Sequence, residues 1–244
     1  MIRSITAILL ILVSALCGHA RQLNDKLLNR QYADLKAWHL GFSVGVHSQW
    51  LRMAHNPVVE GADGPVWFVD QPALSPGFCV NGLMDLRLST YFNVRFTPGL
   101  YFGNKVLNIV DASGLEDEGR LRRRQNIKST LVVVPVDLKF SGLRYRNSRP
   151  YVTVGAMPAF DVSKRRSSDY FHTRMFDVYA TVGFGCDFYL PYFKFIPELK
   201  FCFGLTDALS HKRPDLADDP GMAAFTQRIR KATAGMVVLT FYFE

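Results

Sequence analysis

A chain of 244 residues with 29 Lys and Arg against 21 Asp and Glu carries a formal net charge of +8, and 48% of it is hydrophobic. A chain of that length is enough for one large β domain or two ordinary ones and can bury a sizeable core. Four cysteines at scattered positions, one of them (Cys17) inside an apolar N-terminal run, exclude a disulfide framework, so burial and backbone pairing must hold the fold.

The N-terminus opens with Arg3, the uncharged run ITAILLILVSAL and then CGHA, which sets Gly18 and Ala20 at the two positions a signal peptidase reads. Residues 1–20 read as a signal peptide, residues 21–36 as a periplasmic N-terminal segment and residues 37–244 as the folded body. Bulky Leu16 before Cys17 argues against a lipoprotein anchor. No later stretch reaches the ~18 uninterrupted apolar residues of a spanning helix, so a membrane-embedded body must cross as strands. For an exported chain, a basic surplus suits anionic lipid or lipopolysaccharide phosphate as partner rather than nucleic acid. The segment RQLNDKLLNRQYADLK is the one stretch with helical patterning, a short amphipathic helix with Leu23, Leu27 and Leu28 on one side.

From Trp38 onward the pattern has period two, the signature of strands with one apolar face. The first, WHLGFSVGVHSQW from Trp38 to Trp50, sets Trp38, Leu40, Phe42, Val44 and Val46 against His39, Gly41, Ser43, Gly45 and His47. The second, Gly77 to Leu88, opposes Phe78, Val80, Met84, Leu86 and Leu88 to Asn81, Asp85 and Arg87. The third runs from Tyr91 to Gly103, the fourth from Lys128 to Ser141, and the fifth from Pro150 to about Ser163. The sixth, DVYATVGFGCDFYL from Asp177 to Leu190, alternates without interruption. The seventh, FKFIPELKFCFGL, opposes Phe195, Leu199, Phe201 and Phe203 to Lys194, Glu198, Lys200 and Cys202, and the eighth starts near Thr233 and shows Val237, Leu239, Phe241 and Phe243 on one face. Pro98, Pro135, Pro158 and Pro197 fall inside these strands, where each removes a ladder hydrogen bond and points to a break or bulge.

Connections alternate strictly in length. Those after the first, third, fifth and seventh strands are long, charged and turn-rich, whereas those after the second, fourth and sixth are short: ST, GLRYRNSR and PY. Short periplasmic turns and long outer loops are the asymmetry of an outer-membrane barrel. The expected fold is therefore all-β, an eight-stranded antiparallel transmembrane β-barrel of the outer-membrane type, in the outer membrane of a Gram-negative bacterium. Trp38, Trp50, Tyr91, Phe92, Phe102, Tyr189, Tyr192, Phe193 and Phe243 near the strand ends suit its aromatic girdles.

On this reading the apolar faces meet lipid and the polar faces fill a lumen just wide enough for side chains. The interior ions are Asp85, Arg87, Arg95, Asp137, Lys139, Asp177, Asp187, Lys194, Glu198 and Lys200, which must pair with one another to tolerate burial. Arg120, Arg122, Arg123 and Arg124, in the loop run RLRRRQ, are the candidates for contact with an anion or a partner. His47 and Ser48 with Ser167, Asp169 and His172 lie near the outer rim, and a Ser-His-Asp set could in principle be assembled from them, but no nucleophile elbow accompanies them. His39 and His47 lie too far apart along one strand to share a metal, so neither an enzymatic activity nor a cofactor is expected.

The blocks DLKAWHLGFSVGVH, PGFCVNGLMDLRLSTYFNVRFTPGLYFG, RPYVTVGA and above all VGFGCDFYLPYFKFIPELKFCFGLTD resemble the PorT family of the Bacteroidetes, from about Asp34 to the final residue. The resemblance implies a small outer-membrane barrel tied to the type IX secretion system and gliding motility. It would be a non-enzymatic component needed to export proteases and adhesins, with other type IX components as partners. An eight-stranded lumen is too narrow for a folded substrate, so such a role would be accessory or in assembly. A structural or lipopolysaccharide-binding barrel is the alternative.

Overall fold

The computed structural model describes residues 28–55, 67–70, 75–111, 123–163, 175–206 and 229–244. These form eleven antiparallel strands: β1 (Trp38–His55), β2 (Trp67–Asp70), β3 (Pro76–Arg87), β4 (Phe92–Phe96), β5 (Gly99–Asp111), β6 (Arg123–Val133), β7 (Val136–Ser141), β8 (Ser148–Asp161), β9 (Phe176–Tyr189), β10 (Lys194–Gly204) and β11 (Ile229–Phe243). The ring runs β1, β3, β4 with β5, β6 with β7, β8, β9, β10 and β11, each step an antiparallel pairing, and β11 returns to β1 with Val44 opposite Phe241 and Ser48 opposite Val237. The ring therefore closes, and apart from the short β2, which pairs with β5 alone beyond the ring, no strand is an edge; closure is the one way a sheet satisfies its backbone groups inside hydrocarbon.

Ten of the eleven strands make eight staves, and β2 stands outside them. The third expected strand is interrupted at Thr97 and Pro98, giving β4 and β5, and the fourth at Val134 and Pro135, giving β6 and β7. Proline supplies no N–H, but its carbonyl still serves the ladder. Gly82 N–H donates to Pro98 O at 2.8 Å, and Thr97 N–H to Pro135 O at 3.2 Å. Alternation survives both breaks, since Arg95, Thr97 and Tyr101 on one stave, and Val133, Asp137 and Lys139 on the next, all face inward and are buried. Pro158 and Pro197 stay within β8 and β10.

Several staves extend past the expected ends, β1 to His55 and β5 to Asp111, and β2 pairs with that β5 extension, Trp67 opposite Asp111. The burial pattern is inverted relative to a water-soluble sheet. Phe42, Val46, Phe78, Val154, Phe184 and Phe203 are exposed, whereas Arg95, Lys139, Asp137 and Glu198 are buried. Only a hydrocarbon surround reconciles an apolar exterior with an ionic interior. Rings stack on the outer surface, Phe195 on Phe241 at 5.8 Å and Phe78 on Phe102 at 5.0 Å between centroids.

The interior is layered. Toward the long-loop end lies an apolar plug of Tyr101, Leu131, Val133, Met157, Met236 and Val238, and toward the short-turn end a second group of Leu83, Tyr151, Ile196 and Tyr242. Both filled layers match a lumen of eight strands, which side chains occupy completely.

The N-terminal segment departs from expectation. Its described part, from Leu28 onward, holds a single 3-10 turn at Ala33–Leu35 instead of an amphipathic helix, and Leu28 is exposed. Residues 1–27, with the expected signal peptide and the start of the expected periplasmic segment, lie outside the described residues.

Candidate functional site

Alternation along β3, β4, β7, β9 and β10 delivers charged side chains to one level of the lumen. Arg95 is the hub: its Nε and Nη2 donate to Asp85 Oδ2 at 3.2 and 3.0 Å, while Nη1 donates to Glu198 Oε2 at 2.8 Å and to the Tyr151 hydroxyl at 3.1 Å. Tyr151 in turn donates to Glu198 Oε2 at 2.7 Å, and Tyr242 to Glu198 Oε1 at 3.2 Å. The guanidinium also lies against both phenol rings, 5.0 Å and 4.9 Å from their centroids.

Lysines extend the layer in two directions. Lys200 meets Asp137 at 2.6 Å and Glu198 at 3.2 Å, and Thr181 donates to the other oxygen of Asp137 at 2.6 Å. Lys139 donates to both oxygens of Asp187, at 2.9 and 2.7 Å, and stands 3.8 Å from Asp85. Lys194 bridges Asp187, at 3.6 Å, to Glu244, at 3.1 Å. Buried ions cost several kcal/mol each when unpaired, so the alternating chain of opposite charges is what allows them to sit inside.

Of the ten interior positions expected from sequence, eight join this layer. Asp177 is buried but separate, near the long-loop end, where it accepts from the Val178 N–H at 2.8 Å and from the Thr206 hydroxyl. Arg87 is a correction: it is half-buried at the last residue of β3, and its Nε donates to Ser89 O at 3.3 Å, so it caps a turn at the rim and touches none of the layer. Tyr151, Tyr242, His39 and Glu244 are not among the expected ions, although Tyr151 and His39 share a strand face with a glycine, Gly155 and Gly41, and are open to the same parity argument, whereas the face of Tyr242 carries Val238 and Met236 and gives no such signal.

At the short-turn rim, the N-terminal segment closes the mouth. Asn29 N–H donates to Asn147 Oδ1 at 2.9 Å, its side chain donates to Tyr189 O at 3.0 Å, and Arg30 donates to Glu244 O at 3.0 Å. Asp34 accepts from the Tyr189 hydroxyl at 2.5 Å and faces Arg144 at 3.7 Å and Arg149 at 3.6 Å. Tyr189 is thus a second correction: its ring turns inward, buried under the Arg144 guanidinium at 3.6 Å, and belongs to no lipid-facing girdle. Burial alone would raise the Glu244 carboxyl, but the contact with His39 Nδ1 at 2.6 Å and the charge of Lys194 overcome it and hold the carboxyl at about 2.

At the long-loop end, His47 is buried beside Tyr101, ring centroids 5.3 Å apart, in a niche that exists because Gly77 and Gly103 carry no side chain; a Cβ on Gly77 would lie 2.4 Å from the imidazole. Ser167, Asp169, His172, Arg120 and Arg122 lie outside the described residues. Arg123 and Arg124 open β6, with backbones opposite Ile109 and Asn108. Among the described residues, no three His, Cys, Asp or Glu side chains are placed to hold a metal. Chemically, the layer is a cohesive plug of matched ions, crosslinking staves that are distant in sequence.

The family described as outer membrane protein beta-barrel domain matches residues 22–210. Among solved structures, the chain is similar to the N-terminal β-barrel domain of Pseudomonas aeruginosa OprF, at 13% identity over 82% of this chain and 96% of that one, with a TM-score of 0.37. It is also similar to Ail, the attachment invasion locus protein of Yersinia pestis, in its complex with the heparin analogue sucrose octasulfate, at 11% identity over 85% and 99% of the two chains, with a TM-score of 0.34. No curated protein matches. With its closed ring, lipid-facing apolar surface and matched sequence, this chain belongs to the outer membrane protein beta-barrel domain family and resides in the outer membrane.

Proposed function

We propose that the protein is a structural, non-enzymatic outer-membrane barrel with a sealed lumen, which anchors outer loops in contact with lipopolysaccharide. The observation that carries this reading is the Arg95, Glu198, Tyr151 and Tyr242 cluster, which joins β4, β8, β10 and β11 across the interior. Lipopolysaccharide contact draws its support from the basic run Arg120 to Arg124, which suits phosphate. Reconstituted in planar bilayers, the barrel should conduct no more than bare lipid, and steady unitary currents would overturn the sealed-lumen reading. Deleting the gene should weaken the envelope against detergent while secretion continues.

A second reading is favoured by the resemblance of the β9 and β10 block to PorT proteins, since that block supplies Asp187, Lys194, Glu198 and Lys200 to the layer. On it, the barrel is an accessory component of type IX secretion. The same deletion strain separates the two: substrates retained in the periplasm behind an intact envelope favour the secretion role, whereas fragility with normal secretion favours the structural one.

A further inference from the structure

Between the N-terminal turn and the β3–β4 turn lies a notch of about 520 Å³, lined by Leu35, Ala37, Arg87, Leu88, Ser89, Thr90 and Tyr91. It sits at the short-turn rim, which outer-membrane barrels turn to the periplasm. Three observations describe what it would hold. Arg87 uses only Nε, toward Ser89 O, so among the described residues its terminal nitrogens meet no acceptor. Lys36 is not part of the lining but follows the lining residue Leu35 and precedes Ala37; it is exposed and has no acidic partner among the described residues. Apolar surface borders the charge: Leu35 and Leu88 are exposed, and the Tyr91 ring stands 6.4 Å from Phe140 of the lipid-facing surface.

A pocket lined by one arginine, flanked by an exposed lysine and bordered by exposed leucines and a tyrosine where the apolar band ends, matches one molecule with an anionic head and acyl tails. We infer that the notch is a binding site for an anionic glycerophospholipid of the periplasmic leaflet, its phosphate on Arg87 and Lys36 and its chains beside Leu88 and Tyr91. Guanidinium recognition of phosphate by two N–H groups and the preference of tyrosine for the headgroup level both favour that occupant over an acidic peptide, which would not need the bordering leucines.

The test uses the full chain in detergent with phosphatidylglycerol as probe, read by native mass spectrometry. The wild type should retain the lipid, and the Lys36→Gln, Arg87→Gln double variant should retain it roughly tenfold less, the loss of charge-assisted bonds to phosphate. Equal retention overturns the site. Displacement of the lipid by free glycerol phosphate overturns the lipid source in favour of a bare phosphate site. Independently of whether the double variant folds, a photoreactive residue replacing Ser89 in cells should give an adduct of phospholipid mass, whereas an adduct with a protein overturns the proposal.

Discussion

Arg95 and Glu198 meet at 2.8 Å in the middle of the lumen, 103 positions apart in sequence and both fully buried. Truncating either partner strands the other in a medium without water. Glu198→Ala should therefore cost about 3–5 kcal/mol, read from urea unfolding in detergent. The double variant Arg95→Met, Glu198→Leu should be more stable than either single, because it removes both charges and keeps volume. A single variant as stable as the wild type would show that the pair carries no weight.

The Glu244 carboxyl gives a pH signature at the periplasmic end. It is held at about 2 in the fold against an ordinary value of 4.5. A depressed carboxylate contributes stability that is fully present above pH ~4.5 and disappears as the pH falls toward ~2, at most on the order of 3 kcal/mol. Glu244→Gln should therefore be separated from the wild type in unfolding midpoint at pH 7, with the gap narrowing steadily as the pH falls below ~4.5 and closing only near pH 2. A constant gap across that window would sink the assignment.

Alternation made the barrel legible. It gave the eight staves, their lipid faces and most of the ionic layer, because a period of two fixes which way every side chain points once one face is known to be apolar. Arg87 shares the inward parity of Asp85 and still leaves the layer, since it ends its strand where the lumen opens and a backbone carbonyl is nearer than any carboxylate. The apolar plug around Met157, Val133 and Met236 carried no signal, because where both faces are apolar the alternation that marks a lumen vanishes. Asp34 and Arg144 lie off the strands, so no periodicity could bring them together.

Gly185 makes room for the layer it does not join. A Cβ there would lie 2.5 Å from both the Tyr151 hydroxyl and Pro197 O, so Gly185→Ala must displace the phenol that donates to Glu198 or push β10 away from β9. The expected loss is about 1–3 kcal/mol, with a lower yield of the heat-modifiable folded form on gels. Gly82 is the control: its nearest neighbour to an added Cβ is 3.9 Å away, and Gly82→Ala should be neutral within ~0.5 kcal/mol.

Asp34 links the N-terminal segment to three residues of the rim, Tyr189, Arg144 and Arg149. Its side chain is about a quarter exposed, so solvent screens the pairs and their contribution to barrel stability should stay below about 1 kcal/mol. The effect of Asp34→Ala is therefore expected on the segment rather than on the barrel. Limited proteolysis in detergent should cut faster near residues 28–36, while the urea midpoint and the folded gel migration stay those of the wild type. The contacts of Asn29 and Arg30 with Asn147, Tyr189 and Glu244 remain in that variant, so adding Arg30→Ala should accelerate cleavage further. Unchanged cleavage in both would mean that the backbone bond from Arg87 N–H to Ala37 O, at 3.0 Å, is enough to hold the segment in place.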